Sequence, residues 1–469
     1  MSEFKKISSQ DITFFRSVVG EQGVTTEPEA LKNYSRDETP DPTLRRFPEV
    51  VIKPHETTEI QAIMHYCSQN TIAVTPRGAG SGLSGGAIPA RGGVVLSLER
   101  MNRILEVDHE NLMVVVEPGV ITNEINRKLK PYHLFYAGYP MSLETCQIGG
   151  NIAENAGGGK AVKYGVTGTY VRGVEFVTAS GELLKFGGKI FKDVSSYDIV
   201  HLLVGSEGTL GIVTRIYLKV LPLPRARAVL LAPFDDPAPA LHLPVTILSE
   251  MGMTPASIEY MNHLSLEYGY RFSNHTYPFP EASCHILLEI DGQEEEVVYR
   301  EYDCLGERLF QEGAKEVFVA DNAVAIEDIW RIRRAIPEAL HLALPQEINE
   351  DISVPVASIP ELVTFVEHLG QEFHLISPIY GHLGDGNLHI TLAGSQNDQW
   401  EEKEPLIHEC FYSKVASLGG VLSGEHGVGF KRRKYLPYFY HPEEINLLRR
   451  LKAAFDPQGI LNPDKVLPD

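Results

Sequence analysis

The pattern of hydrophobic and polar positions near the start of the chain predicts two strands joined by a helix. Residues 48–53 and 72–75 are short apolar runs of the kind found in buried strands. Residues 58–70, between them, place apolar side chains at helical spacing. A third apolar run, at 94–98, follows a glycine-rich loop at 76–93. The sequence therefore predicts a β-α-β opening and then another strand.

The rest of the chain shows two further patterns. From about residue 112 to 222, short strands alternate with glycine clusters, and residues 221–225 have the proline-rich composition of a linker. Beyond them, a strand at 285–290, an acidic helix near 292–312 and a helix at 325–343 indicate a second unit of mixed helices and strands. The predicted fold class is α+β.

Length and charge narrow the classes of function. At 469 residues the chain is too long for one compact core, so we expect more than one unit. The 42 basic and 62 acidic residues give a net charge of -20, which repels both a phosphate backbone and an anionic bilayer surface. We therefore expect no nucleic-acid partner.

Cysteine usage and apolar run lengths indicate the compartment. The five cysteines form no C-x-x-C pair, so the sequence encodes neither a disulfide framework nor a cysteine-held iron–sulfur cluster. We expect reduced, mostly buried thiols at Cys67, Cys146, Cys284, Cys304 and Cys410. No run reaches the roughly 18 apolar residues that a membrane helix needs, and the N-terminus lacks an apolar signal region. We expect a cytoplasmic protein that meets a membrane only through a partner.

The glycine-rich loop contains a dinucleotide-binding pattern in an unsuitable context. Residues 80–85 match G-x-G-x-x-G, which in a Rossmann fold lies between a strand and a helix N-terminus. Here a strand at 94–98 follows, so no helix dipole is available for a pyrophosphate. Backbone N–H groups of a glycine-rich loop can bind phosphate without a helix. Taken alone, the loop is also compatible with a flexible surface segment.

Three more glycine-rich stretches follow in the same half of the chain. They lie at residues 147–159, 163–165 and 205–212. Glycine lets another molecule approach the main chain closely, because it has no side chain in the way. Four such stretches favour a large, flat cofactor that lies along the backbone.

In this order, the four stretches resemble the FAD-binding domain of the vanillyl-alcohol-oxidase type, also called the p-cresol-methylhydroxylase (PCMH) type. Over residues 30–469 the chain is similar to the FAD-linked D-2-hydroxy-acid dehydrogenases. That family includes D-lactate dehydrogenase, the flavoprotein subunit of glycolate oxidase and D-2-hydroxyglutarate dehydrogenase. The ending at residues 456–465 belongs to the match, although Asp464 stands where the family usually has glycine.

The resemblance implies a domain order and a cofactor site. An N-terminal segment and a PCMH-type FAD-binding domain of two subdomains would span residues 1–222, and an α+β substrate-binding domain residues 223–410. Residues 411–469 would complete the active site by packing back on the flavin. The implied FAD contacts are Pro76, Arg77, Gly78, Ala79, Gly80, Ser81, Gly82, Leu83, Gly85, Ser142, Gly149, Gly150, Asn155, Gly158, Gly165, Glu207, Gly208, Ile212 and Asn462. The loop offers neither histidine nor cysteine for attachment, so we expect non-covalent FAD.

Residues 380–391 read as a hairpin that carries two histidines. A two-residue turn at Asp385-Gly386 predicts that His382 lies directly opposite His389. Cross-strand neighbours have Cβ atoms about 4.5–5.5 Å apart, which lets two imidazoles bind one metal ion. A packed or surface pair is the other interpretation of these two residues. The motif at 423–429 adds a carboxylate and a third imidazole in a glycine-flanked loop.

The family resemblance assigns roles to these residues. It implies His382, His389 and Glu425 as ligands of a divalent metal and leaves His426 as the catalytic base in contact with the substrate. Two nitrogens and one oxygen do not decide between zinc and manganese.

Substrate contacts come partly from the same resemblance. The arginine that binds the substrate carboxylate in the family aligns best with Arg333, whereas Arg331 and Arg334 read as a solvated helix face. Thr391 shares a strand face with His389 by two-residue spacing and is a further candidate. The hydroxyglutarate-oxidising branch has a lysine near the position of Asn349, so its absence favours lactate-sized or glycolate-sized substrates.

The predicted activity is oxidation of a small D-2-hydroxy acid, D-lactate or glycolate, by hydride transfer to flavin N5. D-2-hydroxyglutarate dehydrogenase and a subunit of a glycolate oxidase assembly remain alternatives, as do a non-redox flavin synthase and a metal hydrolase. Because the chain encodes no iron–sulfur cluster, electrons must pass to a separate acceptor. A quinone, a cytochrome, an electron-transfer flavoprotein or an iron–sulfur subunit would serve, and a homodimer is left open.

Overall fold

The computed structural model describes residues 4–344, 346–394 and 400–469. Its helices in these ranges are α1 (Ser9–Val19), α2 (Pro28–Leu31), α3 (Thr57–Asn70), α4 (Thr122–Leu129), α5 (Ile148–Glu154), α6 (Ala161–Tyr164), α7 (Ile199–Leu203), α8 (Pro237–Pro244), α9 (His263–Ser273), α10 (Glu295–Gln311), α11 (Ala323–Ala343), α12 (Ile359–Phe373), α13 (Trp400–Ser417) and α14 (Pro442–Phe455). Its strands are β1 (Val24–Thr25), β2 (Val50–Ile52), β3 (Val74–Arg77), β4 (Val94–Ser97), β5 (Ile104–Asp108), β6 (Met113–Val116), β7 (Leu134–Phe135), β8 (Val171–Val177), β9 (Leu183–Gly187), β10 (Ile212–Lys219), β11 (Leu221–Pro222), β12 (Ala226–Phe234), β13 (Ser257–Asn262), β14 (Cys284–Gly292), β15 (Phe318–Ala320), β16 (Glu347–Ser353), β17 (Ile379–His382) and β18 (Asn387–Ala393).

The chain forms two compact units, and neither is continuous in sequence. The first contains the residues up to Gly157, then Val166–Pro222 and His426–Asp469. The second contains Gly158–Gly165 and Leu223–Glu425. The units therefore change over at Pro222 and Glu425, whereas the sequence-based prediction sets its divisions after residues 222 and 410.

The first unit opens with the predicted β-α-β arrangement. Its four-stranded sheet has the order β1-β2-β4-β3, in which β4 is parallel to both β2 and β3. Helix α3 buries Ile60, Ile63, Met64 and Cys67, which repeat at helical spacing and therefore share one face. The strands and this helix contribute to one apolar core together with Phe15 of α1.

The connection between β3 and β4 contains no helix. Both strands are buried and parallel, and the glycine-rich loop joins them directly through turns. The prediction that the G-x-G-x-x-G pattern here is not a Rossmann turn is confirmed, because no helix N-terminus follows the loop.

A second sheet of the first unit is antiparallel, with the order β5-β6-β10-β8-β9. Strand β11 pairs with β7, so Leu221 and Pro222 belong to an ordered strand rather than to a free linker. Arg225 is also fixed, because its N–H donates to the carbonyl of Gly292 within the second unit. The two units nevertheless change over between Pro222 and Leu223, inside the predicted linker, so its position is confirmed while both of its ends are ordered. Proline tolerates an edge strand, where its missing N–H is not needed.

The C-terminal segment packs on the first unit beside β3. Leu461 forms a parallel bridge with Val74, and the N–H of Asn462 donates to the Val74 carbonyl at 2.7 Å. Asp464, which stands where the family usually has glycine, has a φ of +62°. Its carboxylate accepts a hydrogen bond from the Arg91 guanidinium. A glycine is suited to that backbone conformation, and aspartate is among the few other residues that tolerate it.

The second unit is built on a seven-stranded antiparallel sheet with the order β15-β12-β14-β13-β17-β18-β16. The predicted strand at 285–290 is part of β14. The predicted helices near 292–312 and at 325–343 correspond to α10 and α11. Mixed helices and strands in both units confirm the α+β class.

Two predictions from composition have structural counterparts. Cys67, Cys146 and Cys284 are buried, whereas Cys304 and Cys410 are exposed, and all five are unbridged thiols. Among the described residues, no helix has the length and apolar composition needed to span a bilayer.

Candidate active site

The glycine-rich loop of the first unit presents a row of backbone donors. Within the part of the chain that the structure describes, no N–H group of residues 78–84 donates to a protein acceptor. Gly85 differs, since its N–H donates to the Asp37 carboxylate at 2.8 Å. Gly80 and Gly85 have φ values of +76° and +77°, which turn the chain as other residues rarely can. Neighbouring donors of this kind form a site for an anion such as a phosphate.

Arg77 fixes the start of this loop with its side chain. Its guanidinium donates to the carbonyl oxygen of Arg36 at 2.8 Å and lies 5.5 Å from the centre of the Tyr34 ring. Only 7% of Arg77 is exposed, and burial lowers the pKa of its guanidinium. A Cβ on Gly80 would overlap this guanidinium. The arginine therefore shapes the loop from within.

Buried polar side-chain atoms without a hydrogen-bond partner also occur elsewhere in the first unit. Seven buried side-chain atoms of the first unit have no hydrogen-bond partner among the described residues. Four of them belong to the glycine-rich stretches or to the C-terminal segment: Ser84 Oγ, Gln147 Oε1, Glu154 Oε2 and Asn462 Oδ1. Buried polar atoms are rarely left unpaired, so these atoms and the loop's N–H groups fit a large polar cofactor.

Glu207 links the glycine stretch at 205–212 to the C-terminal segment. Its carboxylate accepts hydrogen bonds at 2.7 Å from the N–H groups of Val428 and Gly429, and its carbonyl accepts one from Asn462. Burial raises the pKa of Glu207 to about 7 despite these bonds. Burial and the charge of Glu207 also raise the pKa of Glu154. Both carboxyl groups therefore hold a proton more readily than an exposed glutamate does.

The predicted FAD contacts fall in both units. All of them belong to the first unit except Gly158 and Gly165, which belong to the second. The segment between these two glycines is held by ion pairs within the second unit: Lys160 Nζ lies 2.7 Å from Glu289 Oε1, and Lys163 Nζ 2.6 Å from Asp291 Oδ1.

A polar cluster lies on one face of the seven-stranded sheet in the second unit. Register places Glu259 of β13 opposite His382 of β17, and His389 of β18 opposite both Tyr380 and Asp351. Residues opposite one another in antiparallel strands point to the same face. Neighbouring strands β13, β17, β18 and β16 thus bring these side chains together.

The predicted hairpin register is wrong by two residues. His382 pairs with Asn387, and His389 pairs with Tyr380. The loop spans residues 383–386, with a 3-10 turn at Leu383–Asp385 and Gly386 at a φ of +83°, instead of a two-residue turn. Because side chains alternate with a period of two, a shift of two residues keeps both histidines on one face. Their ring centres are 5.4 Å apart.

Glu425 completes a set of candidate metal ligands. Its Oε1 lies 3.4 Å from His389 Nε2 and 3.6 Å from His382 Nε2. Asp351 is buried and accepts hydrogen bonds from Ser423 Oγ at 2.8 Å and from the Glu425 N–H at 2.9 Å. Potential ligand atoms of Asp351, His389 and Glu425 lie within 4.8 Å of one another. Imidazole nitrogens and carboxylate oxygens this close fit a divalent metal ion.

The charges around His382 favour a cation. Burial by itself would lower the pKa of His382, but the carboxylates of Glu259 and Glu425 raise it well above its ordinary value. Glu259 itself is buried, which would raise its pKa, yet His382 and Arg333 bring that pKa below its ordinary value. The carboxylates of this face therefore favour positive charge at the position of His382.

The three arginines of α11 differ sharply in environment. Arg333 is 2% exposed and donates from Nε to Glu259 Oε2 at 2.7 Å. Its guanidinium also lies 4.9 Å from the centre of the Tyr380 ring, and its Nη2 is buried without a hydrogen-bond partner among the described residues. Arg331 and Arg334 are exposed and pair with acidic residues of the same helix.

Thr391 and His426 occupy different settings. Thr391 is fully buried on the same strand face as His389, and its Oγ1 has no hydrogen-bond partner in the described ranges. It lies opposite Asn349 of β16. His426 follows Glu425 directly, is half-buried, and begins the C-terminal segment of the first unit.

Glu259, Asp351 and Tyr380 take part in the cluster although sequence analysis does not select them. A signal for Glu259 was available: it is the one charged residue of the strand Ser257–Asn262, whose other positions are apolar or neutral. A carboxylate in a buried strand has to be paired, because an isolated buried charge is costly.

Comparison with known families identifies both parts of the chain. Residues 48–187 match the family described as "FAD binding domain". Residues 223–466, more than half of the chain, match "FAD linked oxidases, C-terminal domain". The chain belongs to the FAD-linked oxidases.

Curated relatives of this FAD-linked oxidase extend over nearly its whole length. Glycolate oxidase subunit GlcD of Bacillus subtilis is 38% identical over 92% of this chain and 91% of that protein. D-lactate dehydrogenase of Anaerostipes hadrus is 33% identical over 99% of each chain. D-2-hydroxyglutarate dehydrogenase of Stutzerimonas stutzeri is 31% identical over 94% of this chain and 96% of that protein. These names confirm the predicted family of FAD-linked 2-hydroxy-acid oxidoreductases.

Solved structures support the fold of this FAD-linked oxidase. p-Cresol methylhydroxylase superposes with a TM-score of 0.76 at 16% identity, covering 98% of this chain and 96% of that one. An alkyldihydroxyacetonephosphate synthase superposes with a TM-score of 0.74 at 19% identity, covering 99% of this chain and 87% of that one. At such identities the likeness concerns the fold alone. It confirms the predicted PCMH-type architecture.

Proposed function

We propose that this FAD-linked oxidase oxidises a small D-2-hydroxy acid, D-lactate or glycolate, to the corresponding 2-oxo acid. The observation that carries the proposal is the polar face of the second unit. There, candidate metal ligands lie beside a buried arginine that has an unused donor. An alcohol next to a carboxylate requires both features: activation of the hydroxyl and recognition of the carboxylate.

His382, His389 and Glu425 are the proposed ligands of a divalent metal, zinc or manganese. Support comes from the short distances between Glu425 Oε1 and the Nε2 atoms of both histidines. Asp351, which binds the N–H of Glu425, holds the carboxylate-bearing loop against β16. A metal bound here would supply Lewis-acid polarisation of the substrate hydroxyl.

Arg333 is the proposed partner of the substrate carboxylate. Its Nε is already held by Glu259, and its buried Nη2 has no partner among the described residues. A guanidinium matches a carboxylate with two parallel hydrogen bonds. The buried hydroxyl of Thr391 is a further donor to the substrate on the same side of the sheet.

His426 is proposed to take the proton from the C2 hydroxyl oxygen of the substrate. It is not one of the proposed metal ligands. Imidazole is the usual general base near neutral pH. A bound FAD would supply the acceptor for the hydride that leaves C2.

FAD is proposed to be bound non-covalently through the N–H groups of residues 78–84 and the remaining predicted contacts. Support comes from the unpaired donors of the loop and from the buried unpaired atoms of Gln147 and Asn462. Histidine and cysteine, the usual points of covalent attachment, do not occur in residues 76–86.

A small substrate is favoured by the residue opposite Thr391. Asn349 of β16 occupies that position and carries no positive charge for a second carboxylate. Because the hydroxyglutarate-oxidising branch of the family has a lysine near this position, its absence here disfavours D-2-hydroxyglutarate relative to lactate. We further propose that a separate electron acceptor reoxidises the flavin, as a subunit of a larger assembly such as glycolate oxidase would require.

Anaerobic mixing of the purified FAD-containing protein with D-lactate, glycolate and D-2-hydroxyglutarate tests the proposal. D-lactate or glycolate should bleach the yellow flavin absorbance faster than D-2-hydroxyglutarate does. Protein that is yellow but bleached by none of the three would support a flavin synthase instead. Colourless protein that hydrolyses esters or phosphates would support a metal hydrolase.

A substitution in the glycine-rich loop should weaken FAD binding selectively. Gly80→Ala places a Cβ on the Arg77 guanidinium at a φ of +76°, so both the loop and the arginine must shift. Since a left-handed residue other than glycine costs about 1–2 kcal/mol, we expect at least a roughly tenfold rise in the FAD dissociation constant. Fluorescence titration of the apoprotein with FAD measures it.

Gly20→Ala is the matched control for this loop variant. Gly20 has the same φ of +76°, but a Cβ there meets nothing within 4 Å. It should cost some stability and leave FAD affinity unchanged. Equal FAD affinities for the two variants would contradict the role given to the loop.

A further inference from the structure

Glu259 lies where a carboxylate is hardest to accommodate. It occupies the middle of β13 and is fully buried, between Ile258 and Tyr260. A Cβ added to Gly159 would lie 3.1 Å from its Oε1, so the backbone of that segment closes over the carboxylate. An isolated charge in such a place is strongly unfavourable, because burial removes its hydration. Its retention calls for strong partners.

Two of the three hydrogen-bond partners of Glu259 belong to the proposed site. Oε2 accepts from Arg333 Nε at 2.7 Å, and Oε1 accepts from His382 Nδ1 at 2.6 Å. Oε1 also accepts from Ser257 Oγ at 3.0 Å. The sheet register explains the reach, since Glu259 and His382 lie directly opposite each other on neighbouring strands.

We propose that Glu259 is a positioning residue that holds the substrate-binding arginine and a metal-binding histidine in one fixed geometry. The inference rests on the proposed function, because it takes the roles of Arg333 and His382 from there. One carboxylate spans both groups, so the metal and the substrate carboxylate site are tied to the same rigid strand.

The chemistry of each bond explains how the positioning works. When the neutral ring of His382 donates its Nδ1–H to Glu259, its lone pair lies on Nε2, which is the nitrogen facing Glu425 and the one available to a metal ion. When Glu259 binds Nε of Arg333, the guanidinium cannot rotate, and Nη2 stays in place for a substrate oxygen. Two acceptor oxygens are therefore required at position 259.

Glu259→Gln removes one of these two acceptors at nearly constant volume. Glutamine has one acceptor oxygen and one NH₂ donor, so it can satisfy Arg333 or His382 but not both. Residues that orient metal ligands typically contribute about 10–100-fold to metal affinity or activity. We expect a loss in that range in zinc affinity and a rise of the same order in the KM for D-lactate. FAD content should stay at the wild-type level.

The measurements are zinc affinity by competition with a chromogenic chelator and separate kcat and KM values with an artificial electron acceptor. Glu372→Gln, on the exposed side of α12, is the matched control and should equal the wild type. In an Arg333→Lys background, Glu259→Gln should raise KM little further, because its effect on the substrate acts through Arg333. If Glu259→Gln does not fold, Glu259→Asp keeps both acceptors on a shorter arm and should weaken zinc in the same direction.

The outcomes separate this inference from the proposed function. Wild-type zinc affinity and KM in folded Glu259→Gln would overturn the positioning role while leaving the hydroxy-acid oxidation intact. Additive effects of Glu259→Gln and Arg333→Lys on KM would overturn the link through the arginine. A wild-type protein that is not reduced by any of the three hydroxy acids would instead defeat the proposed function, whatever the zinc titration shows.

Discussion

Replacing His389 by alanine is expected to release the divalent metal and to slow turnover by about 10³-fold or more, while FAD stays bound. His389 Nε2 lies 3.4 Å from Glu425 Oε1, so the variant leaves the carboxylate with fewer partners for the ion. Lewis-acid activation contributes several kcal/mol to such reactions, and each 1.36 kcal/mol corresponds to about tenfold in rate. Metal content by elemental analysis and kcat with an artificial acceptor measure the two effects.

Chelation provides the same test without a substitution. Dialysis against a strong chelator should abolish turnover with the flavin-to-protein ratio unchanged, and zinc or manganese should restore activity. His368→Ala, an exposed histidine on α12 of the same unit, is the matched control and should retain both metal and rate. Full activity in a preparation shown to be metal-free would remove the metal from the mechanism.

Replacing His426 by alanine should slow reduction of the flavin by about 10²–10⁴-fold, the range typical of a lost general base. Without the imidazole, the proton of the substrate hydroxyl has to pass to water as hydride leaves C2. Metal content should be preserved, since His426 is not a proposed ligand. Anaerobic stopped-flow mixing with D-lactate measures flavin reduction directly, before any step that involves the electron acceptor.

A second exposed histidine controls for the loss of an imidazole in the first unit. His109→Ala, in the turn between β5 and β6, should reduce its flavin at the wild-type rate. A reduction rate unchanged in His426→Ala would show that another group accepts the proton. Loss of metal in His426→Ala would show that the histidine belongs to the ligand set.

The glycine-rich loop shows which structural features can be predicted from local sequence. The order strand, glycine loop, strand is visible in residues 72–98, and this order by itself excludes a Rossmann turn. That exclusion holds because β3 and β4 are parallel neighbours with no helix between them. The role of Arg77 was not visible, because its partners Asn33 and Arg36 lie some forty residues earlier in the chain.

The hairpin shows a limit of register prediction. An Asp-Gly pair favours a two-residue turn, but here Gly386 ends a wider loop, and its φ of +83° serves that loop instead. A Cβ on Gly386 would overlap the Val354 carbonyl, so a distant segment helps to decide the turn. The prediction that both histidines share a face survived, because a shift of two residues preserves side-chain alternation.

The arginines of α11 show what burial adds. Three arginines within four positions carry nearly the same local signal. The family resemblance favours Arg333, and contacts from β13 and β17 supply the physical difference: Arg333 binds Glu259 and packs on Tyr380. Sequence reasoning did not identify Glu259 and Asp351 as site residues, because their partners come from strands and loops far away in sequence.

By itself, the sequence determined the α+β class, the strands on either side of the first glycine-rich loop, the FAD-linked oxidase family and the identity of the candidate chemical groups. These depend on residue type and on spacing along the chain, which neighbouring residues fix. Tertiary structure alone decided the hairpin register, the burial of Arg333 and the place of Glu259 between arginine and histidine. Each of these depends on how antiparallel strands from separate segments align, and such alignment is set by packing across the sheet rather than by local sequence.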